Sequence, residues 1–215
     1  MYSVTKIKSK DTYPYLLDIH YAKRIPSISY AYGLFWHSEL VGVITYGTPS
    51  SSPLRVGIAG KENSCRVLEL NRLVLKNNIK NEASILISKS ILLLPHGMII
   101  VSYADSSQNH IGTVYQASNF IYSGLSAKRK DYKVKGLEHM HTQTLIDKFR
   151  NQPNRIKAMR DYYGDDFYII DRPRKHRYIY ITGSKTMKKK LKQQLKYKIK
   201  EYPKNVLPSL TKLKL

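Results

Sequence analysis

One carboxylate stands in the most charge-poor part of an otherwise basic chain. Between Lys89 and Lys128 the only Asp, Glu, Lys or Arg is Asp105, and its neighbours are rich in Tyr, Ser, Asn, Gln and His. The apolar run MIIVSYA precedes it, so we expect Asp105 at the C-terminal end of a buried strand, where open α/β sheets place ligand crevices. Such a carboxylate is suited to act as a general base. The alternative is that Asp105 caps the helical turn that follows it.

A phenol follows ten residues later. Tyr115 lies in HIGTVYQAS, whose spacing predicts a short helix that faces the same crevice. Its hydroxyl could donate a proton or fix a substrate group, and the alternative is an aromatic residue of the core. From the same segment we expect substrate contacts by Tyr103, Ser106, Gln116 and Tyr122.

Two more clusters carry candidate residues. In ELNRL, a regular strand would place Glu69 and Asn71 on one face and Arg72 on the other, and polar pairs on one face are unusual for packing alone. His20 and Tyr21 are adjacent and could position a base or bind a metal. One His with one Tyr is an incomplete metal site, so we assign no metal ligand and leave a metal ion open.

The elements that must position these residues form an α/β pattern. Apolar runs predict two strands joined at the turn His37–Ser38, a third strand, a helix that ends at Pro95 and Gly97, a buried strand, the short helix and a last strand. The segments are 28–35, 39–47, 66–75, NNIKNEASILISKSILLL, MIIVSYAD, HIGTVYQAS and NFIYSG. Their order predicts helices packed on one mixed central sheet.

The second half of the chain is more basic. KRKDYKVKGLEHMHTQT predicts a basic hairpin, a helix is expected around Thr144–Tyr163, and DFYII and HRYIYIT are typical of strands. In KKKLKQQLKYKIKEYP the apolar residues recur every fourth position, which predicts a helix with one apolar stripe formed by Leu191, Leu195 and Ile199.

The charge predicts a polyanionic partner. The chain has 37 Lys and Arg against 15 Asp and Glu, a formal charge of +22 and a pI near 9.9. We expect DNA or RNA first, with a ribosomal or packaging role and a membrane surface as open alternatives. Phosphate contacts are expected from three basic clusters: Lys128, Arg129, Lys130, Arg174, Lys175, Arg177, Lys188, Lys189 and Lys190.

Several classes of protein are excluded. The single cysteine, Cys65, allows no intramolecular disulfide and no Cys-based zinc cluster. MYSVTKIKSKD lacks the apolar region of a signal peptide, and the longest apolar run, SILLLP, is too short to span a bilayer. We therefore expect a cytoplasmic enzyme or nucleic-acid-binding protein.

Five motifs in the same order carry a family resemblance. HYAKRIPS, LVGVITYGTPSS, LELNRLVL, SYADSSQNHIGTVYQASNFIYSG and KHRYIY resemble the Mom family of bacteriophage DNA-modification proteins, from about His20 to about Pro203. The resemblance implies a GNAT-like acyltransferase fold. It also implies conversion of adenine in double-stranded DNA to N6-carbamoylmethyladenine, which shields phage DNA from restriction in the cytoplasm of the infected bacterial host.

The resemblance also implies an organisation and site residues. We expect a catalytic domain over 1–183 with a basic insertion at about 125–176, and a Lys-rich extension over 184–215 that contacts nucleic acid. His20, Tyr21, Asp105 and Tyr115 match the family's functional positions, and Glu69, Asn71 and Arg72 follow from ELNRL. The target adenine would be flipped out and stacked on Tyr103, Tyr115 or Tyr122.

The donor is expected to differ from that of ordinary acyltransferases of this fold. Members that use acetyl-CoA carry a glycine-rich pyrophosphate loop, whereas the corresponding junction here reads KNNIKNEAS. We therefore favour glycyl-tRNA over acetyl-CoA, with tRNA as a second partner. Two other functions stay open: a nucleic-acid-binding protein without catalysis, and an acyltransferase that acts on another amine.

Overall fold

A computed structural model describes residues 1–108, 110–140 and 142–204, with only the backbone of Gln108. The chain divides into two compact units. The first comprises Met1–Leu125 together with the chain from His176 onward, and the second is Ser126–Lys175.

Nine strands and six α-helices are formed by the described residues. The strands are β1 (Tyr2–Lys6), β2 (Tyr30–Trp36), β3 (Glu39–Gly47), β4 (Val67–Leu75), β5 (Ile99–Asp105), β6 (Ile121–Leu125), β7 (Arg129–Val134), β8 (Phe167–Arg172) and β9 (Lys175–Ile181). The helices are α1 (Ser52–Asn63), α2 (Glu82–Leu92), α3 (Thr113–Ala117), α4 (Thr142–Asp147), α5 (Arg155–Tyr163) and α6 (Lys185–Gln193).

The first unit is built on a mixed sheet of seven strands in the order β1-β2-β3-β4-β5-β9-β6. β4 and β5 are parallel, and the pairs β1–β2, β2–β3, β3–β4 and β6–β9 are antiparallel. The turn between β2 and β3 is at His37 and Ser38, which both have positive φ, as two-residue hairpin turns require. The predicted class, an α/β fold with a mixed central sheet flanked by helices, is confirmed.

Each face of this sheet is covered by its own apolar cluster. On one face, Leu86 and Ile87 of α2 pack against β-strand residues such as Leu70 and Ile100. On the other face, Ile58 of α1 and Leu191 of α6 pack with residues such as Val67, Ile99 and Val101. β5 therefore lies between two layers of helices, which accounts for its almost uninterrupted apolar sequence.

The second unit has a small core of its own. β7 and β8 form an antiparallel ribbon, and Val134, Leu145 and Met159 bring α4 and α5 against it. The predicted hairpin within KRKDYKVKGLEHMHTQT is therefore wrong, because β7 pairs with the distant β8. The single helix expected around Thr144–Tyr163 is two helices, separated by a segment that contains Pro153.

The C-terminal helix is shorter than predicted. α6 ends at Gln193, and after it Leu195 and Tyr197 pack on the cluster beside α1. The backbone N–H of Lys196 donates to Ile58 O at 2.9 Å, and that of Lys200 donates to Tyr122 O at 2.9 Å. The expected stripe is thus interrupted, and Ile199 is 50% exposed. The predicted extension 184–215 lies beyond the described residues from position 205 onward.

The elements that were not anticipated from the sequence include β1, α1 and a π-helical turn at Tyr15–Ile19. None of the helices in the described part of the chain is long and apolar enough to cross a membrane.

Candidate active site

The candidate site begins where β4 and β5 stop pairing. Their parallel ladder joins Val67, Leu68 and Glu69 to residues 99–101 and goes no further. Beyond it, the Ser102 hydroxyl donates to the Leu70 carbonyl at 3.1 Å, so a side chain replaces the ladder bond at this point. Ser102 was not singled out in the sequence. The sequence did contain a signal for it, because Ser102 is a hydroxyl residue inside an otherwise apolar buried strand. A buried hydroxyl needs a hydrogen-bond partner.

A β-bulge in β4 reorganises the ELNRL motif. Tyr46 of β3 pairs with Leu70 and Thr45 pairs with Arg72, which leaves Asn71 as the extra residue. Leu70 and Leu73 both join the cluster under α2, so the alternation of side chains slips by one position. The prediction that Arg72 lies on the face opposite Glu69 is wrong, because the bulge returns Arg72 to the face of Glu69.

Asn71 ties this bulge to the segment that follows the π-helical turn. Its Oδ1 accepts a hydrogen bond from the Thr45 hydroxyl at 2.6 Å, and its Nδ2 donates to Ser27 O at 2.8 Å. A Cβ on Gly47 would lie 1.9 Å from the Ser27 carbonyl oxygen, so only glycine permits this approach. The segment from His20 to Ser29 is thereby held against the ends of β3 and β4.

Arg72 is partly buried beneath the same segment. Its Nη1 donates to Asn71 O at 2.6 Å and its Nη2 to Arg24 O at 3.4 Å, whereas its buried Nε has no partner among the described residues. Burial, followed by the charge of Arg24, lowers the pKa of Arg72. Each Nη has a second N–H beyond the one bonded to a backbone carbonyl, so the guanidinium has donors available for a ligand.

His20 and Tyr21 form a stacked pair at the edge of the site. Their ring centroids are 4.4 Å apart and their planes differ by 27°. His20 Nδ1 accepts a hydrogen bond from the Ala22 backbone N–H at 3.0 Å, which leaves Nε2 as the nitrogen that carries the proton. Burial, and then the charge of Arg72, lower the pKa of His20 to about 4. The imidazole is therefore neutral at pH 7.

Tyr115 lies next to the opening between β4 and β5. Burial raises the pKa of its phenol, the neighbouring Ser102 hydroxyl opposes that shift, and Tyr21 and Glu69 add to it. Its ring packs against Phe120 and Tyr178, with each pair of centroids 5.4 Å apart. Tyr115 is thus both a core aromatic and a phenol whose oxygen is close to candidate residues of the site.

Asp105 ends β5 and caps the short 3₁₀ turn Ser106–Gln108. Its Oδ1 accepts hydrogen bonds from the backbone N–H of Ser107 at 3.0 Å and from the Ser107 hydroxyl at 2.7 Å. This geometry is that of the capping role, the alternative which the sequence left open. Ser106 is partly buried in the same turn.

Tyr103 and Arg177 lie together on the α1 face of the sheet. Burial raises the pKa of Tyr103 to about 12, although the guanidinium of Arg177 opposes the shift. Arg177 is only 6% exposed, and it donates to Ser123 Oγ at 2.9 Å and Ser123 O at 3.0 Å. Its guanidinium carbon lies 3.3 Å from the centre of the Tyr197 ring. Arg177 is thus an interior residue, unlike the exposed phosphate contact expected from the sequence.

Tyr122 and Gln116 make contacts within the protein. Tyr122 is 7% exposed, and its hydroxyl is 2.9 Å from His176 Nδ1. Gln116 Nε2 donates to Ile111 O at 3.2 Å and to the Tyr178 hydroxyl at 3.0 Å. Tyr122 and Gln116 therefore belong to the packing of the protein interior. Electrostatic effects on pKa link a separate group of candidate residues, which comprises Glu69, Arg72, Tyr115, His20 and Tyr21.

The remaining basic residues divide between the two units. Lys128, Arg129 and Lys130 are exposed in the second unit, where Arg174 and Lys175 are partly buried and bonded to Ser126. In the first unit, Lys189 and Lys190 are exposed on α6, and Lys188 Nζ donates to the Tyr180 hydroxyl at 3.2 Å.

A buried acidic residue lies in the first turn of α2, the helix that follows the junction KNNIKNEAS. Glu82 is 1% exposed there, and its carboxylate accepts from Ile79 N at 3.0 Å and from the Tyr2 hydroxyl at 2.9 Å. This carboxylate lies in the first turn of α2, where its negative charge would repel an anionic ligand that the helix N-terminus could otherwise attract. Among the described residues, no group of three or more His, Cys, Asp and Glu could hold a metal ion.

Comparisons with known proteins agree with the resemblance found in the sequence. The model of the Mom protein family matches residues 1–204. The methylcarbamoylase Mom of Escherichia phage Mu is 28% identical over 192 residues, which cover 86% of this chain and 76% of that protein.

Solved acetyltransferases are also similar. A GNAT-family acetyltransferase from Bacillus cereus is 17% identical with a TM-score of 0.44, and the match covers 86% of this chain and 99% of that one. A probable acetyltransferase from Staphylococcus epidermidis is 14% identical with a TM-score of 0.46 and coverages of 85% and 100%. Since the family model spans nearly all of the sequence, the chain belongs to the Mom protein family.

Proposed function

We propose that this Mom-family protein converts adenine in double-stranded DNA to N6-carbamoylmethyladenine by transfer of a glycine-derived unit. Family membership, with a relative named methylcarbamoylase, supports an acyl-transferring modification enzyme. The observation that carries the proposal for this chain is the cluster of Glu69, Arg72 and Tyr115 with the His20–Tyr21 pair where β4 and β5 separate. The modification would protect phage DNA from restriction in the cytoplasm of the infected bacterium.

The following acid–base roles are proposed for the carboxylates and phenols of the site. Asp105, at the end of β5, is proposed to accept the N6 proton of the flipped adenine. Glu69 is a second carboxylate close to the phenols of Tyr103 and Tyr115, and the raised pKa of Tyr115 keeps it protonated and able to donate to the leaving oxygen. Nη1 and Nη2 of Arg72 each carry a second N–H besides the one bonded to Asn71 O or Arg24 O, and these are proposed to hold a substrate oxygen.

The composition of the product argues for a glycyl donor. Transfer from acetyl-CoA would leave an N6-acetyl group, which lacks the nitrogen of the carbamoylmethyl product. The carboxylate of Glu82 at the start of α2 is a second obstacle to acetyl-CoA. A glycyl ester such as glycyl-tRNA contains all the atoms required, and no oxidant or reductant is needed.

A glycyl donor requires two steps. In the first, N6 attacks the ester carbonyl, and the tRNA hydroxyl leaves with a proton, which gives N6-glycyladenine, an isomer of the product. In the second, the glycyl amine attacks C6 of the purine through a five-membered ring, and the original C6–N6 bond breaks. The glycine nitrogen then joins C6 to the methylene carbon, and the original N6, after gaining a proton, becomes the carboxamide nitrogen.

The experiment uses purified protein, duplex DNA and glycyl-tRNA labelled with ¹⁵N in the glycine. Nucleoside mass spectrometry should show N6-carbamoylmethyladenine that contains ¹⁵N. Acid hydrolysis of its carboxamide should then retain the label, since the two-step route places that nitrogen on the purine. Label lost as ammonia would contradict the rearrangement, and modification that requires acetyl-CoA without glycyl-tRNA would contradict the donor.

Charge supports nucleic acid as the partner. The formal charge of +22 includes 11 Lys against 1 Glu between Lys185 and Lys214. Release of counterions from a duplex would make such binding strong and dependent on salt. The target amine is stacked inside the duplex, so its base must be flipped out before it reaches the site.

A further inference from the structure

The most exposed aromatic ring at the candidate site belongs to Tyr21. It is 68% exposed, and one face of its ring packs on His20. The aromatic residues that sequence alone favoured for stacking are less accessible: Tyr122 is 7% exposed, and Tyr115 is in contact with Phe120 and Tyr178. The outer face of Tyr21 is therefore the surface at this site on which another ring can lie.

Several hydrogen bonds hold the backbone of the segment around this ring. Lys23 has a φ of 40°, and its N–H donates to His20 O at 3.0 Å, which closes a turn that contains the stacked pair. The Ala22 N–H fixes the His20 ring, and Arg72 donates to the carbonyl of Arg24. Little conformational freedom is then lost when a ligand stacks on Tyr21, which favours binding.

The same segment combines apolar and cationic side chains. Ile19 is 48% exposed and Ile25 39% exposed, and Lys23 and Arg24 lie exposed between them. Cations beside an aromatic face are the pattern by which proteins bind single-stranded or unstacked nucleotides, with the cations on the phosphates and the base on the ring.

We propose that Tyr21, backed by His20, is the seat for the flipped nucleobase of DNA, with Lys23 and Arg24 bound to the phosphates beside it. The assignment rests on the proposed function, because it identifies the base as the one presented for modification. His20 then supports the Tyr21 ring from behind. Tyr115 lies within electrostatic range of both Tyr21 and Glu69, which each raise its pKa, so a base on Tyr21 would lie beside these two groups.

The probe is a thymine-rich single strand of DNA that contains one 2-aminopurine, a fluorescent analogue of adenine. Stacking on tyrosine quenches its fluorescence, so saturating wild-type protein should quench it. Tyr21→Ala should abolish most of the quenching and weaken binding about 5- to 100-fold. Tyr21→Phe, which keeps the ring, should behave as the wild type does.

A matched control comes from the second unit. Tyr162 is 73% exposed, so Tyr162→Ala removes an equally accessible ring and should leave quenching unchanged. Quenching by Tyr21→Ala equal to that of the wild type would overturn the proposal. Stronger quenching of an RNA strand of the same sequence would overturn the assignment to DNA.

Failure of this inference can be told apart from failure of the proposed function. If DNA from cells that express the wild type contains only unmodified adenine, the modification activity is refuted, whatever the quenching result. If the DNA is modified but Tyr21→Ala still quenches the probe, only the nucleobase seat is refuted.

Discussion

Glu69 and Arg72 lie on the same face of β4 because Asn71 is bulged out between them. In a regular strand, two residues three positions apart lie on opposite faces, so the guanidinium of Arg72 would lie under α2. The bulge therefore places a carboxylate and a cation together at the opening beside β5, and bulges next to active sites commonly redirect a side chain in this way.

Asn71→Ala should destabilise the protein by about 1–3 kcal/mol, because the buried Thr45 hydroxyl and the Ser27 carbonyl both lose their partner. Urea unfolding monitored by circular dichroism measures the change. Asn77→Ala, at an exposed position, is the control. A loss in Asn71→Ala no larger than in this control would show that the bulge does not depend on these bonds.

Asp105→Asn should reduce modification by about 100-fold or more while DNA affinity stays within about twofold, because the amide keeps an oxygen to cap Ser107 but cannot accept a proton. Nucleoside mass spectrometry and fluorescence anisotropy measure the two quantities. The control variant, Ser107→Ala, removes only the hydrogen bond that the Ser107 hydroxyl donates to Asp105 Oδ1. If Asp105→Asn loses DNA binding together with activity, Asp105 is structural.

The lowered pKa of His20 makes stability depend on pH. The unfolded chain binds a proton at His20 below its ordinary pKa of 6.5, whereas the folded chain does so only near 4. This contribution to stability is present above pH 6.5 and is lost as the pH falls toward 4. In His20→Gln, the urea midpoint should fall less between pH 7 and pH 4.5 than in the wild type. Equal slopes would mean that His20 titrates normally.

Acetyl-CoA should not raise the melting temperature, because the Glu82 carboxylate in the first turn of α2 would repel its pyrophosphate. A ligand present at about 100 times its Kd stabilises a protein by about 2.7 kcal/mol, which is readily measured as a shift of several degrees. An acetyltransferase known to use acetyl-CoA, assayed in the same buffer, serves as the positive control. A clear rise in the melting temperature of this protein would contradict the interpretation that Glu82 keeps a pyrophosphate away from the start of α2.

Exposed and interior cations should differ in their effect on DNA binding. Lys189→Ala and Lys190→Ala should each reduce the slope of log affinity against log salt by about 0.9, the value for one phosphate contact. Arg177→Lys should leave the slope unchanged and cost about 1–3 kcal/mol of stability, because Arg177 is bonded to Ser123 inside the protein. A reduced salt slope in Arg177→Lys would place Arg177 at the DNA interface.

The elements around the site could be predicted wherever a local pattern decides the structure. The apolar run of β5, the turn at His37–Ser38 and the end of α2 before Pro95 follow from hydrophobicity and turn chemistry. The bulge at Asn71 could not be predicted, because an extra residue in a strand leaves no mark in composition. This one extra residue moves every later side chain of β4 to the other face of the strand. The position of Arg72 beside Glu69 depends on that shift.

Other differences arise from contacts between distant parts of the chain. The pairing of β7 with β8 joins strands separated by two helices, and no local signal specifies that choice. α6 stops at Gln193 although its lysine-rich sequence could continue as a helix, because Leu195 and Tyr197 gain more by packing beside α1. The burial of Arg177 likewise depends on Ser123 and Tyr197, neither of which adjoins it in sequence.

The two ends of the second unit, Ser126 and Lys175, lie next to each other. The N–H of Ser126 donates to Lys175 O at 2.8 Å, and the N–H of Lys175 donates to the Ser126 hydroxyl at 2.9 Å. A tight turn could therefore replace everything between these two residues without stretching β6 or β9, since chain ends held this close need almost no linker. A cassette joined in this way can be lost or exchanged for another without breaking the pairing of β6 with β9.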